Sequence, residues 1–250
     1  LLILGAILGA TGWIFNKGLL KTQDFYVKTL KKIPIQFKTI IPFVMVGILA
    51  LTIPEVIDGG DSLIESVIGN NIAIKLLIVI LVIKFIFTFF SYSSGVPGGI
   101  FFPLLAIGAL VGAIFGLLLN KYLGISDSLI VNFIVLAMAA QFASIVKAPI
   151  TGLMLITEMT GTFKHLLPVA ITVTVAYLVS DILNNKPIYE SLLEKLLERM
   201  NIKFNTGVKK KEIFDFEVKI GSELEGKLIK DVKWPDGSLI ITIFRGAEEI

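Results

Sequence analysis

From Phe85 to Asn120 the chain carries no Asp, Glu, Lys or Arg, yet Gly and Pro interrupt this stretch in the segment SSGVPGGIFFP (93–103). An apolar run of about 20 residues is long enough for a helix to cross the hydrocarbon of a bilayer. Non-helical backbone at that depth is stable only where protein or a water-filled cavity satisfies its polar groups. The chain is 55% hydrophobic and 17% charged, against about 25% charged in soluble domains. These features predict an integral membrane protein with a broken helix at a functional site.

Apolar segments recur along the first 200 residues and are short or interrupted by Gly, Pro, Lys or Ser. Pro149 and Gly152 leave only a short helix in 145–161. Short and broken helices are typical of transporters and channels that bind their substrate near the midplane. The predicted fold is therefore an all-α bundle of tilted and broken helices. Its apolar segments are 1–15, 39–53, 72–90, 100–119, 129–146 and 166–183.

The composition argues against several other function classes. The chain has no Cys and one His, which disfavours thiolate or His-built metal sites. No nucleophile–base set, metal cluster or phosphate-binding loop is visible, so we expect neither an enzyme nor a cofactor. The net charge of +3 gives no indication of a nucleic-acid partner.

Charged residues become dense from Lys186 onward, which predicts a change of domain. We expect a membrane domain at 1–200, a linker at 201–211 and a small soluble α+β domain at 212–250. The chain begins without Met and ends in what resembles a hairpin, so we expect a fragment of a longer protein. Lysines also cluster between the first two apolar segments, as in a cytoplasmic loop or an anion-attracting vestibule: Lys17, Lys21, Lys28, Lys31, Lys32 and Lys38.

After Gly98 and Gly99 the pattern predicts a new helix with Pro103 in its first turn. The first amides of a helix have no intrahelical acceptor and carry a partial positive charge. The two glycines leave room for a ligand close to the backbone, which favours an anion site formed by the N–H groups of Ile100 and Phe101. From the residues alone, an equally good alternative is that Gly and Pro only kink the chain between two packed helices and form no binding site.

Two lysines in or beside apolar segments are candidate vestibule charges, because a charge at membrane depth is usually functional. Lys84 interrupts LLIVILVIKFIFTFF, and Lys147 precedes APITG. Either could attract anions, although a lysine can also extend toward the interface. We expect Glu158 to be a structural residue at a helix end and Asp181 to cap or pair.

The segment GVPGGIFFP resembles the GxFxP signature of the CLC family of chloride channels and proton/chloride antiporters. Four further blocks resemble the C-terminal half of that family, in the same order. The resemblance implies that the amides of Ile100 and Phe101 bind a dehydrated chloride and that the hydroxyl of Tyr189 donates to the same ion. The further blocks are GATGWIFNK, IPEVIDGGDSLI, SIVKAPITGLMLITEMT and NNKPIYESLL.

The resemblance implies a voltage-gated chloride channel or a proton/chloride antiporter, and it leaves this choice open. It also implies a homodimer in the lipid bilayer of a prokaryotic plasma membrane, crossing it several times. One alternative is a CLC-type transporter for another anion such as fluoride or nitrate. A second is a non-conducting membrane regulatory subunit of a potassium transporter.

The tail resembles the start of a TrkA C-terminal domain, a small α/β regulatory module. Phe214, Phe216 and Val218 alternate as in a strand. Ser222 and Glu225 have capping-box spacing and predict a helix over 222–231, followed by the turn WPDGS and the strand LIITIFRG. The resemblance implies a cytoplasmic regulatory or dimerising domain that binds a small molecule.

Overall fold

Ten α-helices account for most of the chain that the computed structural model describes. They lie in the first of two compact units, Leu1–Phe204; the second unit is Asn205–Ile250. The described residues are 1–30, 33–57, 59–69, 72–95, 98–163, 165–199, 217–218, 221–222, 224–232, 234, 242, 244–245 and 248–249. The helices are α1 (Leu2–Lys28), α2 (Ile35–Lys38), α3 (Ile40–Thr52), α4 (Asp61–Gly69), α5 (Ile74–Ser93), α6 (Phe101–Leu123), α7 (Ile130–Val146), α8 (Pro149–Thr160), α9 (Leu166–Ile182) and α10 (Ile188–Arg199).

Each predicted apolar segment contains a helix, so the helical fold class is confirmed for the first unit. Within the part of the chain that the structure describes, four helical stretches are long and apolar enough to cross a membrane, and α3 and α9 are shorter apolar helices. The four are Leu2–Lys28, Ile74–Ser93, Phe101–Leu123 and Asp127–Val146, the last including a 3-10 turn before α7.

Small residues bring α6 and α7 into close contact at the centre of the first unit. Gly108, Gly112 and Gly116 follow one another at intervals of four residues and therefore lie on one face of α6. A Cβ atom added at Gly112 would lie 2.6 Å from the backbone oxygen of Phe133, and one at Gly108 would lie 2.8 Å from that of Ala137. The two backbones are therefore as close as a glycine face allows, as in small-residue contacts between membrane helices.

Glycines on α1 make similar contacts with α7 and α9. A Cβ atom added at Gly9 would lie 2.7 Å from the backbone oxygen of Ala176 on α9, and one at Gly12 would clash with Ser144 Oγ on α7. Helix α1 is thereby held against both neighbours, and its buried face includes Asn16.

The predicted break near residue 149 is confirmed. Helix α7 ends at Val146, and its C-cap residue Lys147 adopts a left-handed backbone conformation with φ of 64°. Helix α8 then begins with Pro149 in its first turn and ends at Thr160, and its C-cap residue Gly161 is also left-handed at φ 61°. Proline fits the first turn because its missing N–H would have no intrahelical acceptor there, and glycine adopts the left-handed conformation without a steric penalty.

In the second unit the expected helix over 222–231 is wrong. The described residues form turns and a 3-10 helix at Ile229–Asp231. Gly226 has φ of +73°, which is incompatible with a continuous α-helix. The Glu225 carboxylate accepts a hydrogen bond from the Gly221 N–H (2.6 Å), so the acidic residue caps a turn instead.

The described strands of this unit are short. They are β1 (Phe244–Arg245) and β2 (Glu248–Glu249), paired antiparallel, so only a small part of the expected LIITIFRG strand is seen. The linker 201–211 and the first expected strand up to residue 216 lie outside the described residues, and the domain boundaries remain a prediction.

Candidate anion site at the start of α6

Helix α6 begins at Phe101, and Ile100 is its N-cap residue, with φ of −96° and ψ of −3°. No side chain caps this end, and its first turn contains no acidic residue. The first intrahelical hydrogen bond runs from the Leu104 N–H to the Ile100 oxygen (3.1 Å). The amides of Phe101 and Phe102 therefore precede the helical hydrogen-bond pattern, and Pro103 contributes no N–H. The helix start offers backbone donors with the positive end of the peptide dipoles behind them.

A cavity of about 240 Å³ opens at this helix start. A Cβ atom added at Gly98 or Gly99 would meet no atom within 4 Å, so the glycines face open space. The Phe101 ring packs on the rings of Phe102 and Phe142, with centroids 5.3 and 5.8 Å away. The residue thus directs its ring toward α7 while its amide stays in the first turn. The cavity is lined by Ile57, Gly59, Lys84, Phe87, Thr88, Ser91, Tyr92, Gly98, Gly99, Ile100 and Pro103.

Lys84 is the one charged side chain among the described residues that line the cavity. It is 1% exposed, and its ammonium donates a hydrogen bond to the Val56 oxygen (3.0 Å). Burial in a membrane helix makes a charge costly unless it has a function or a partner. Lys84 and the glycines that precede α6 line the same cavity, so the lining combines a positively charged residue with the positive end of a helix dipole, a combination that favours an anion.

Tyr189 is the second residue of α10 and is half-exposed. It is not among the residues that line the cavity. The structure therefore does not place Tyr189 in the cavity wall, and its part in the anion site remains a prediction.

Lys147 lies elsewhere. Its ammonium is 3.3 Å from Asp181 Oδ1 and 4.8 Å from the ring centroid of Tyr177, and it does not line the cavity. The expectation that Asp181 pairs is confirmed. Of the two candidate vestibule lysines, the structure brings only Lys84 to the glycines before α6; an anion-attracting role for Lys147 remains a prediction.

Sequence reasoning missed the polar residues that α5 contributes to the cavity. Thr88 and Ser91 follow Lys84 at intervals of four and seven residues, which puts them on the same helical face. The spacing of these polar residues is present in the sequence, but the residues around them are apolar, so the sequence analysis did not recognise a polar face. Ile57 and Gly59 come from the turn before α4, and no local signal predicts their position.

Comparison with known proteins gives a result that is consistent with the family resemblance of the sequence. The family described as voltage gated chloride channel matches residues 1–181. The chain is 38% identical over 200 residues to the H(+)/Cl(-) exchange transporter ClcA of Vibrio parahaemolyticus, covering 79% of this chain and 43% of that protein. It is 37% identical over 203 residues to the protein of the same name from Vibrio campbellii, covering 79% of this chain and 42% of that protein.

The fold is also similar to a solved structure, described as a slow cyanobacterial Cl-/H+ antiporter. The TM-score is 0.73 and the sequence identity 31%, and the match covers 80% of this chain and 47% of that one. The chain therefore spans less than half the length of these relatives.

Proposed function

The chain belongs to the CLC family of chloride channels and antiporters, and we propose that it is the C-terminal half of a transporter that exchanges chloride for protons. The observation that carries this proposal is the uncapped start of α6 beside a cavity that the buried Lys84 also lines. The names of the similar proteins, which are proton/chloride exchangers, support exchange rather than channel activity. No chemical change of the substrate is proposed.

In the proposed mechanism the amides of Ile100 and Phe101 bind a chloride that has lost part of its water. Backbone N–H groups are neutral donors, so together they can replace hydration without holding the ion as tightly as a direct ion pair. Transport needs this balance, because the ion must also leave. The Tyr189 hydroxyl, a further neutral donor, completes the site, and Lys84 raises the local anion concentration.

We propose that the tail leaves the membrane domain on the cytoplasmic side. Lys195 on α10 donates to the Leu20 oxygen (2.8 Å) and pairs with Asp24, both on α1. This contact puts α10 beside the end of α1 that is rich in lysine, and lysine-rich ends favour the cytoplasm. A homodimer in a prokaryotic plasma membrane and a TrkA-like regulatory tail that binds a small molecule belong to the same proposal.

The test is transport by the intact protein that contains this chain, reconstituted in liposomes. An outward chloride gradient should drive proton uptake, and chloride should be transported faster than fluoride or nitrate. Chloride flux without proton movement would favour a channel, and faster fluoride transport would favour the alternative anion. Flux that persists after deletion of 206–250 would reject a regulatory subunit that acts through its tail.

Replacing Lys84 with Met should weaken chloride binding about fivefold at low salt. The lost attraction is on the order of 1 kcal/mol, as for a charge pair about 4 Å apart in a water-like dielectric. The loss should change little as ionic strength rises, because salt screens a buried charge much less than an exposed one. Isothermal titration calorimetry at two salt concentrations would measure both effects.

Lys147→Met is the matched control, because it removes an equal charge outside the cavity, and it should change chloride affinity less than about twofold. Lys84→Arg should retain binding. Equal losses in Lys84→Met and Lys147→Met would contradict a local role for Lys84.

A further inference from the structure

We propose that a buried polar cluster on α1, α7, α9 and the segment after α9 positions Tyr189 at the anion site. The cluster, here called the clasp, consists of Asn16, Ser144, Ser180 and Asn185. This inference rests on the proposed function, since it concerns the placement of a proposed ligand of chloride. The clasp residues are positioning residues and do not line the cavity.

The first half of the clasp joins the end of α9 to the end of α7. Asn185 is 8% exposed, and its Nδ2 donates to the Ser144 oxygen (3.1 Å) and to Ser180 Oγ (2.9 Å). Ser180 Oγ donates in turn to the same Ser144 oxygen (2.7 Å). One carbonyl in α7 thus accepts two hydrogen bonds from the segment that leads to α10.

The second half comes from α1. Asn16 is 2% exposed, and its Nδ2 donates to the Ile145 oxygen (3.2 Å) and to the Lys186 oxygen (3.0 Å). A single amide group therefore bridges α7 and the residue three positions before Tyr189. Three elements that are distant in the chain meet at this point.

The backbone between the clasp and Tyr189 is conformationally restricted. Only Pro187 and Ile188 lie between Lys186 and Tyr189; the proline ring fixes its own φ, and Ile188 is fully buried. The Pro187 oxygen accepts hydrogen bonds from both the backbone N–H (3.1 Å) and Oγ (3.0 Å) of Ser191. A shift of Lys186 would therefore move Tyr189, and a hydrogen bond weakens when its donor is displaced by a few tenths of an ångström.

A double-mutant cycle on the intact protein tests this role, with chloride affinity measured by isothermal titration calorimetry. Asn16→Ala should weaken chloride binding about three- to tenfold, and Tyr189→Ala about tenfold. The double variant should bind as weakly as Tyr189→Ala alone, within about twofold, because a positioning residue has no effect once its target is gone. A purely structural role would not produce this dependence on Tyr189.

Asn120→Ala is the matched control. Its Nδ2 also donates to a backbone oxygen, that of Ile125 (2.6 Å), and to Asp127 (2.7 Å), but it holds the turn between α6 and α7. Asn120→Ala should change chloride affinity by less than about twofold, whether it is made in the unchanged protein or in the Tyr189→Ala variant.

Ser180→Ala is a milder change to the clasp. If Asn16→Ala yields no folded protein, Ser180→Ala takes its place in the double-mutant cycle and should give the same pattern. The proposal is overturned if the fold-losses of chloride affinity caused by the clasp variant and by Tyr189→Ala multiply in the double variant. It is also overturned if the Asn16 and Ser180 variants bind chloride normally. It is also overturned if neither variant folds, because the cluster would then support the whole bundle. If Tyr189→Ala and Phe101→Pro both bind chloride normally, the proposed anion site itself is wrong.

Discussion

Phe101→Pro is expected to weaken chloride binding by about 10- to 100-fold, whereas Phe101→Ala should leave it within about twofold. Phe101 is the first residue of α6, a position where proline is common in helices. Proline there removes one backbone N–H, fits the helix from residue 101 onward, and disfavours the αR conformation that Ile100 adopts (ψ −3°). A hydrogen bond to a charged group contributes about 1.5–3 kcal/mol, and every 1.4 kcal/mol or so is a factor of ten in affinity.

Isothermal titration calorimetry of the intact protein would measure this difference, and chloride flux from liposomes should fall in parallel. Ile100→Pro should also weaken binding strongly, although Ile100 has φ of −96°, further from the value of about −65° that proline requires. Each proline variant changes the backbone of Ile100, so the two are measured side by side. If both proline variants bind chloride as the unchanged protein does, the ion is not held by these amides.

Gly112→Val is expected to destabilise the protein by about 3 kcal/mol or more, enough to prevent recovery of folded protein from detergent. The added Cβ atom would lie 2.6 Å from the Phe133 oxygen and 2.7 Å from the Ile134 Cα. Both are backbone atoms, so no side-chain rotation can relieve the clash, and α6 and α7 would have to separate. Overpacking of this kind is among the few mechanisms that give large losses of stability.

Gly47→Val on α3 is the matched control, because a Cβ atom added there meets nothing within 4 Å. Thermal unfolding in detergent and size-exclusion profiles would compare the two variants. The control should unfold at nearly the temperature of the unchanged protein. A Gly112→Val protein that does the same would show that the contact between α6 and α7 can adapt.

Six of the described helices were predictable because each needs only a local run of apolar residues, and the breaks around them carry Pro or Gly: α1, α3, α5, α6, α7 and α9. The start of α6 was predictable for the same reason: Gly98, Gly99 and Pro103 mark it within a few residues. The helix expected at 222–231 failed because a capping-box spacing cannot outweigh Gly226 in a left-handed conformation.

Other parts of the site depend on long-range packing and leave little trace in the sequence. Asn16 and Asn185 meet only because α1 lies against α7 and the end of α9. Nothing in the local sequence around Asn16 distinguishes it from a polar residue facing lipid headgroups. The placement of Lys84 beside the glycines likewise requires α5 to pack on the turn at 54–56, where Val56 accepts its hydrogen bond.

The glycine face of α6 has a consequence for how access to the site can change. Gly108 and Gly112 seat this helix so closely on α7 that rotating or sliding it would force backbone against backbone. If the chain transports chloride as proposed, we expect the amide donors at its tip to stay in place while ions arrive and depart. Opening and closing toward either side of the membrane must then be performed by elements that face the tip, and a probe attached to α6 should report almost no displacement during turnover.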